Sequence, residues 1–167
     1  MDVRPTADRV KESLFNIIGT KIIGARVLDL FAGTGNLGLE AWSRGAADVT
    51  FIDENRESLR LVQSNISKCH AEDDVQVVKG SAVKVIESLH RQGAGFDFAF
   101  CDPPYNKGWV QKVLLKLELF PVLDDGGYLI VEHAKHDEIG SLAACFELVR
   151  QETYGETLLS FIRFAKV

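Results

Sequence analysis

Apolar runs of five or six residues alternate with segments of helical periodicity through most of this 167-residue chain, and that alternation leaves few folds open. A strand rich in Val, Ile, Leu and Phe, then an amphipathic helix, then another such strand, makes a crossover connection. Repeated, it builds a parallel sheet covered on both faces. The strand-like runs are Arg26 to Phe31, Asp48 to Asp53, Val75 to Lys79, Phe96 to Cys101 and Tyr128 to Glu132. Helical patterns fill the gaps: Asn36 to Arg44, the stretch after Asp53 to about Lys68, Ala82 to Arg91, and Trp109 to Leu117. Asp124-Asp125-Gly126-Gly127 reads as a turn before the fifth strand.

The pattern changes at the end. Phe146 to Tyr154 and Thr157 to Phe164, separated by Gly155-Glu156, read as an antiparallel hairpin. Ahead of the first strand, Val10, Leu14, Ile17 and Ile18 recur at helical spacing, with Thr6 as the expected cap and Gly19 as the stop. The expected fold is α/β: a doubly wound seven-stranded sheet, mostly parallel, with an antiparallel C-terminal hairpin. One domain spans 1–167, residues 1–24 forming an N-terminal helical segment.

In such a sheet ligands bind beyond the carboxyl ends of the strands, where strand order reverses. Three features fall there. Between the first strand and its helix lies Asp29-Leu30-Phe31-Ala32-Gly33-Thr34-Gly35-Asn36-Leu37-Gly38, a G-x-G-x-x-G match in the correct context for a ligand loop. Asp53 ends the second strand, 18 residues beyond Gly35, where an acid commonly holds a ribose diol. Asp102-Pro103-Pro104-Tyr105 ends the fourth. Two prolines supply no N–H and fix φ, and the first holds Asp102 extended, so the corner presents acceptors and an aromatic ring. That chemistry suits an amino group; a plain strand-ending turn is the alternative. Gly80-Ser81, ending the third strand, would border an adenine, or Ser81 would simply cap the next helix.

These features admit a dinucleotide or another adenosine-bearing cofactor. Asp29 decides between them. A carboxylate beside the glycine loop repels a pyrophosphate and attracts a cationic amino-acid end, as S-adenosylmethionine carries. Cys69, Cys101 and Cys145 lack a C-x-x-C pair, and the four histidines make no ligand pattern, so no metal is expected. Cys101, in a buried strand, is read as core, as are Trp42 and Trp109, the latter in preference to a place in the base pocket. A formal charge of −5 argues against a surface given over wholly to nucleic acid, although five basic residues oppose two acidic ones between Arg4 and Arg26. No apolar stretch approaches the ~20 residues that span a bilayer, and no signal sequence is read at the N-terminus.

Val27-Leu28-Asp29-Leu30-Phe31-Ala32-Gly33-Thr34-Gly35 resembles the cofactor loop of class I S-adenosylmethionine-dependent methyltransferases, which are Rossmann-like. Asp102-Pro103-Pro104-Tyr105 resembles the (Asp/Asn)-Pro-Pro-Tyr motif of those that methylate exocyclic amino groups of nucleobases. Arg4 to Ile17 and Leu37 to Ala46 resemble the RsmD family, bacterial 16S rRNA guanine-N2 methyltransferases. The resemblance implies that Asp29, Gly33 and Gly35 cradle the methionine end of the cofactor, Asp53 the ribose, and Ser81 and Ala82 the adenine. Phe31, Asn36, Leu37, Glu54 and Asp102 are further expected cofactor contacts, and Asp102, Pro103, Pro104 and Tyr105 would hold the target base. Arg4, Arg9 and Lys11 are candidate phosphate contacts, a solvated helix face being the equal alternative, and 16S rRNA in a small-subunit assembly particle is the expected partner of a cytoplasmic monomer. Two departures stand out. The basic β-hairpin that usually precedes the Arg-Pro-Thr segment is largely absent, and Ser81 stands where the family often has an acid. Adenine-N6 methylation and a non-catalytic cofactor-binding module docked on a partner are the alternative readings.

Overall fold

The computed structural model describes residues 5–104 and 108–167. Helix α1 (Pro5–Ile18) leads through a short 3₁₀ turn into strand β1 (Arg26–Asp29). Then come α2 (Asn36–Ser43), β2 (Asp48–Asp53), α3 (Arg56–Cys69), β3 (Val75–Lys79), α4 (Ala82–Arg91), β4 (Phe96–Cys101) and α5 (Trp109–Leu119). Strand β5 (Leu123–Ala134) and the hairpin β6 (Phe146–Tyr154) and β7 (Thr157–Phe164) complete the fold.

The seven strands lie in the order β3-β2-β1-β4-β5-β7-β6. β1 to β5 run parallel; β7 is antiparallel to both β5 and β6. The order therefore reverses between β1 and β4, which opens a crevice above their carboxyl ends. At Tyr154↔Thr157 the hairpin closes through Gly155 at φ 60°, the positive value that the first position of such a two-residue turn requires.

Period-two alternation divides the core between the two sheet faces. Val27, Val49, Phe51, Phe98, Phe100, Ile130 and Phe161 face α1, α2 and α3. Leu28, Ile52, Ala99, Cys101, Leu129, Val131 and Ile162 face α4 and α5. Both faces of the central strands are thus buried, which explains their near-continuous apolar sequences. Among the described residues, no helix is long and apolar enough to cross a membrane.

Three expectations need correction. Helix α1 includes Thr6 rather than starting after it; proline suits a first helical position because its missing N–H would have no partner there. Strand β1 ends at Asp29, two residues early, because the chain then splits its bonds between neighbours. Leu30 N–H reaches Phe100 O at 3.0 Å and Ala32 N–H reaches Ile52 O at 2.9 Å. Asp124 to Gly127 is an irregularity inside β5, not a turn before it: Phe96 pairs with Leu123 and Phe98 with Tyr128, leaving those four residues opposite Asp97 alone. Gly126 takes φ 83°, and a Cβ on Gly127 would lie 2.9 Å from Asp124 O and 3.1 Å from Asp97 O.

Gly38 sets how closely α2 approaches the sheet. A Cβ there would lie 2.3 Å from Phe51 Cε1 and 2.9 Å from Val49 Cγ1, both in fully buried side chains. Replacing glycine by alanine in a helix ordinarily gains about 1 kcal/mol, but overpacking a core ordinarily costs about 1–3 kcal/mol. The clash is severe enough that the second effect wins. Gly38→Ala is expected to lower the urea midpoint at unchanged m-value; an equal or higher midpoint would show that α2 can lift off β2 freely.

Candidate active site

The ends of β1, β2, β3 and β4 and the start of α5 enclose one cleft of about 770 Å³, a volume suited to a cofactor-sized ligand. Its walls include Phe31, Gly33, Asp53, Glu54, Ala82, Asp102, Pro103 and Pro104, all expected from the sequence. Gly80, expected beside the adenine, is also on the wall, and Leu30, Asn55, Ser58 and Trp109 join them. Trp109, read above as core, is half-buried on the cleft wall. Its ring meets Phe31 edge-on at 5.6 Å, and Lys112 Nζ lies 4.8 Å from its centroid. A tryptophan at a helix start after a loop was the available signal. Leu30, Asn55 and Ser58 gave none, because their place in the cleft follows from strand order.

Two carboxylates hold the glycine loop. Gly33 and Gly35 take φ 59° and 84°, left-handed conformations that side chains disfavour. Gly33 N–H donates to Asp53 Oδ2 at 2.9 Å, while Asn55 N–H donates to Asp53 Oδ1 at 2.8 Å. From below, Asp29 Oδ2 accepts from Gly38 N–H at 3.2 Å, in the first turn of α2. From the side, Asn65 Nδ2 donates to Thr34 O at 2.9 Å, a support with no sequence signature. Asn65 reaches the loop only because α3 packs beside it.

Asp29 is 2% exposed and lies beneath the cleft instead of on its wall. Burial pushes its carboxyl up to about 7; the nearby Asp53 charge adds to this, while the N–H groups of Gly38 and Phe31 oppose it. The N-terminal end of α2 already has a carboxyl, so it is no anion site. Among the described wall residues three are acidic (Asp53, Glu54, Asp102) and none is Lys or Arg. That donor set fits a ligand with a cationic end and a diol, not a pyrophosphate.

The remaining expected residues spread out. Ser81 caps α4, its Oγ accepting from Lys84 N–H at 3.4 Å, and Ala82 behind it forms the wall. Leu37 packs into the core beneath α2, and Asn36 Oδ1 accepts from Lys11 Nζ at 3.0 Å. Lys11 also pairs with Glu40 at 3.3 Å, so its charge is held against α2. Arg9, two residues earlier and on another side of α1, lines a separate polar groove of about 490 Å³ with Arg150 and Tyr154 of β6. Arg4 and Tyr105 lie outside the described residues. The Cys101 thiol is pushed far above its ordinary range by burial, then by Asp102 and Asp29, so it is inert core. Trp42 packs into the core with its Nε1 donating to Asp74 Oδ2 at 2.9 Å. No metal-binding cluster of His, Cys, Asp or Glu occurs among the described residues.

The doubly wound sheet, with an Asp-Pro-Pro corner facing an acidic glycine-loop cleft, has a Rossmann-like methyltransferase fold: an Escherichia coli structure described as "Putative methyltransferase yhhF" superposes with TM-score 0.85 at 31% identity, covering 99% of this chain and 89% of the other. The chain belongs to the family described as "Conserved hypothetical protein 95", whose profile matches residues 1–163. It is 34% identical over 154 residues to ribosomal RNA small subunit methyltransferase D of Escherichia coli, covering 92% of this chain and 76% of that one. It is 36% identical over 154 residues to the Bacillus subtilis protein named "Putative rRNA methyltransferase YlbH", covering 92% and 84%.

Asp29 gives a pH test. The folded state binds its proton more tightly than the unfolded chain, whose carboxyl sits near the ordinary value of about 3.9. The stability associated with this proton is therefore fully present below about pH 4 and lost as pH rises through 7, a loss on the order of 4 kcal/mol. Asp29→Asn is expected to make the ligand-free protein more stable than the parent at pH 8, with the gap shrinking toward pH 4. Calorimetry should show the same variant binding S-adenosylmethionine at least about tenfold more weakly, about 1.4 kcal/mol. Parallel stability–pH curves for the two proteins would refute the buried-acid assignment.

Proposed function

We propose that this protein uses S-adenosylmethionine to methylate the exocyclic N2 amino group of a guanine in 16S rRNA. One observation carries the reading: the Asp102-Pro103-Pro104 corner opens into the same cleft as the Asp53-anchored glycine loop, so an amino-group acceptor and a cofactor cradle share one space. The relatives named as rRNA methyltransferases support the substrate class. S-adenosylmethionine supplies an activated methyl when bound; the protein supplies position and charge.

On this reading Asp53 and Glu54 take the ribose, Phe31 and the glycine loop flank the methionine end, and Gly80 and Ala82 border the adenine. Asp102 and a corner carbonyl accept the amino hydrogens, which localises the nitrogen lone pair and stabilises its developing positive charge. Tyr105 stacks on a guanine drawn out of its helical stack. Arg9, with Arg4, meets phosphate, and the protein acts in the cytoplasm as a monomer on an assembling small subunit.

The decisive experiment incubates the protein and labelled cofactor with 16S rRNA lacking the modification, both naked and within partly assembled small subunits, and identifies the product nucleoside by mass spectrometry. N2-methylguanosine is expected. N6-methyladenosine would replace the guanine reading with the adenine one, and cofactor binding without any transfer would favour a non-catalytic module. Asp102→Ala should lower kcat by roughly 10²–10³, the usual effect of removing a group that stabilises transition-state charge; full activity in that variant would remove the acceptor role.

A further inference from the structure

One carboxyl near the cleft has no place in this account. β4 and β5 pair in parallel with Cys101 opposite Val131, so the next residues, Asp102 and Glu132, leave adjacent strands side by side on the same face. Their carboxyls come within hydrogen-bonding reach of each other. Both line a cavity of about 10 Å³ with Pro103, Pro104, His133, Ala134, Asp137 and Thr157, which is too small for any substrate group. Glu132 is half-buried and absent from the walls of the large cleft. It can meet the substrate only through Asp102.

Two carboxylates in hydrogen-bonding contact cannot both ionise easily. Asp102 as a whole is exposed, but its carboxyl is turned in against Glu132, and there desolvation, then the charges of Glu132 and Asp29 and the hydrogen bond to Glu132, hold it above the usual carboxylate range. Burial also raises Glu132, while its bond from Asp102 opposes that rise. Both are raised, as expected of two adjacent carboxyls that share one proton between them.

The other groups near the pair do not replace this partner. Asp29, from β1, adds only negative charge. His133 is committed elsewhere: its Nδ1 donates to Asp137 O at 2.8 Å and its Nε2 accepts from Ser160 Oγ at 2.7 Å, while Ser160 in turn receives Gln151 Nε2 at 2.8 Å. Asp137 carries another acid to the same cavity and Thr157 no charge; no Lys or Arg is among the residues described there.

We propose that Glu132 is a positioning residue and proton store for Asp102: it holds Asp102 with the hydroxyl turned away from the base and the carbonyl oxygen toward it, and it takes up the Asp102 proton during reaction. This rests on the amino-methylation reading above. Turned this way, a protonated Asp102 presents a neutral acceptor to the amino group, as an asparagine would. Once the amino nitrogen has taken the methyl of a sulfonium donor, the N–C bond forming as the C–S bond breaks with its electron pair left on the departing thioether, it carries one proton too many. An N–H bond breaks, leaving its electron pair on nitrogen, and an O–H bond forms on the Asp102 carbonyl oxygen. The opposite Asp102 O–H breaks and its proton joins the Glu132 carboxylate. The positive charge on nitrogen and the negative charge on Glu132 vanish together, and Glu132 later releases the proton to solvent.

The test combines two measurements. Carboxyl ¹³C titration of the ligand-free protein should show Asp102 and Glu132 titrating together, both late, and Glu132→Gln should move Asp102 to lower pH. In steady-state methylation Glu132→Gln should lower kcat about 10²-fold, the lower end of general acid–base contributions, with both KM values within about twofold, and Glu132→Asp should recover part of the loss. Asp102→Asn keeps the acceptor but has no proton to pass, so adding Glu132→Gln to it should cost nothing further. Two independent titrations at ordinary carboxyl values would overturn the relay even in a protein that methylates RNA. So would an unchanged kcat in Glu132→Gln. A paired titration in a protein that methylates no RNA would instead overturn the substrate reading, and the relay's role with it.

Discussion

The glycine loop stays where it is because Asp53 and Asp29 hold it from two sides. Asp53 accepts Gly33 N–H from the end of β2, and Asp29 accepts Gly38 N–H from beneath, so the loop spans the two strands instead of folding over the cleft. Both bonds need their donors at close range, and that range is set by Gly38, which lets α2 lie against Phe51 and Val49. A bulkier residue there would move the helix start, the loop and the cleft floor together. The packing of α2 on β2 and the shape of the site are thus one constraint.

The sequence carried the architecture wherever both faces of a strand are buried. Phe96 to Cys101 and Asp48 to Asp53 begin and end as their apolar runs do, because their apolar residues all enter one core layer or the other. The errors fall where backbone bonding overrides local preference. Asp124 to Gly127 has a turn's composition, yet Gly126 and Gly127 serve an irregularity inside β5 that only the pairing with β4 explains. The site was legible through its glycines and prolines, residues whose backbone limits are local. Trp109 and Asn65 were not, since one reaches the cleft and the other the glycine loop only by tertiary packing. Lys11 shows the reverse: a charge in a basic stretch that the fold turns toward Glu40.

Glu132 was invisible for a related reason. It sits 30 residues from Asp102, near the end of an unremarkable apolar strand; only the register of β4 against β5 makes the two neighbours. Such a pair also resolves what would otherwise be a contradiction within the corner. A fully ionised Asp102 beside Asp29 would concentrate negative charge in a partly water-excluded place, whereas one shared proton leaves the pair with a single charge and a fixed orientation.

The four acids at the strand ends, Asp29, Asp53, Asp102 and Glu132, therefore belong to one electrostatic design. Asp29 and Asp102 are both raised, by desolvation first and next by neighbouring acids, Asp53 for the one and Glu132 and Asp29 for the other. A cation entering such a cleft favours ionisation of Asp29, so its binding is linked to proton release. An anion finds no compensating charge among the described wall residues. Selection for a sulfonium cofactor with an ammonium end, and against a pyrophosphate, thus follows from where the acids sit, and it operates before any contact specific to adenosine is made.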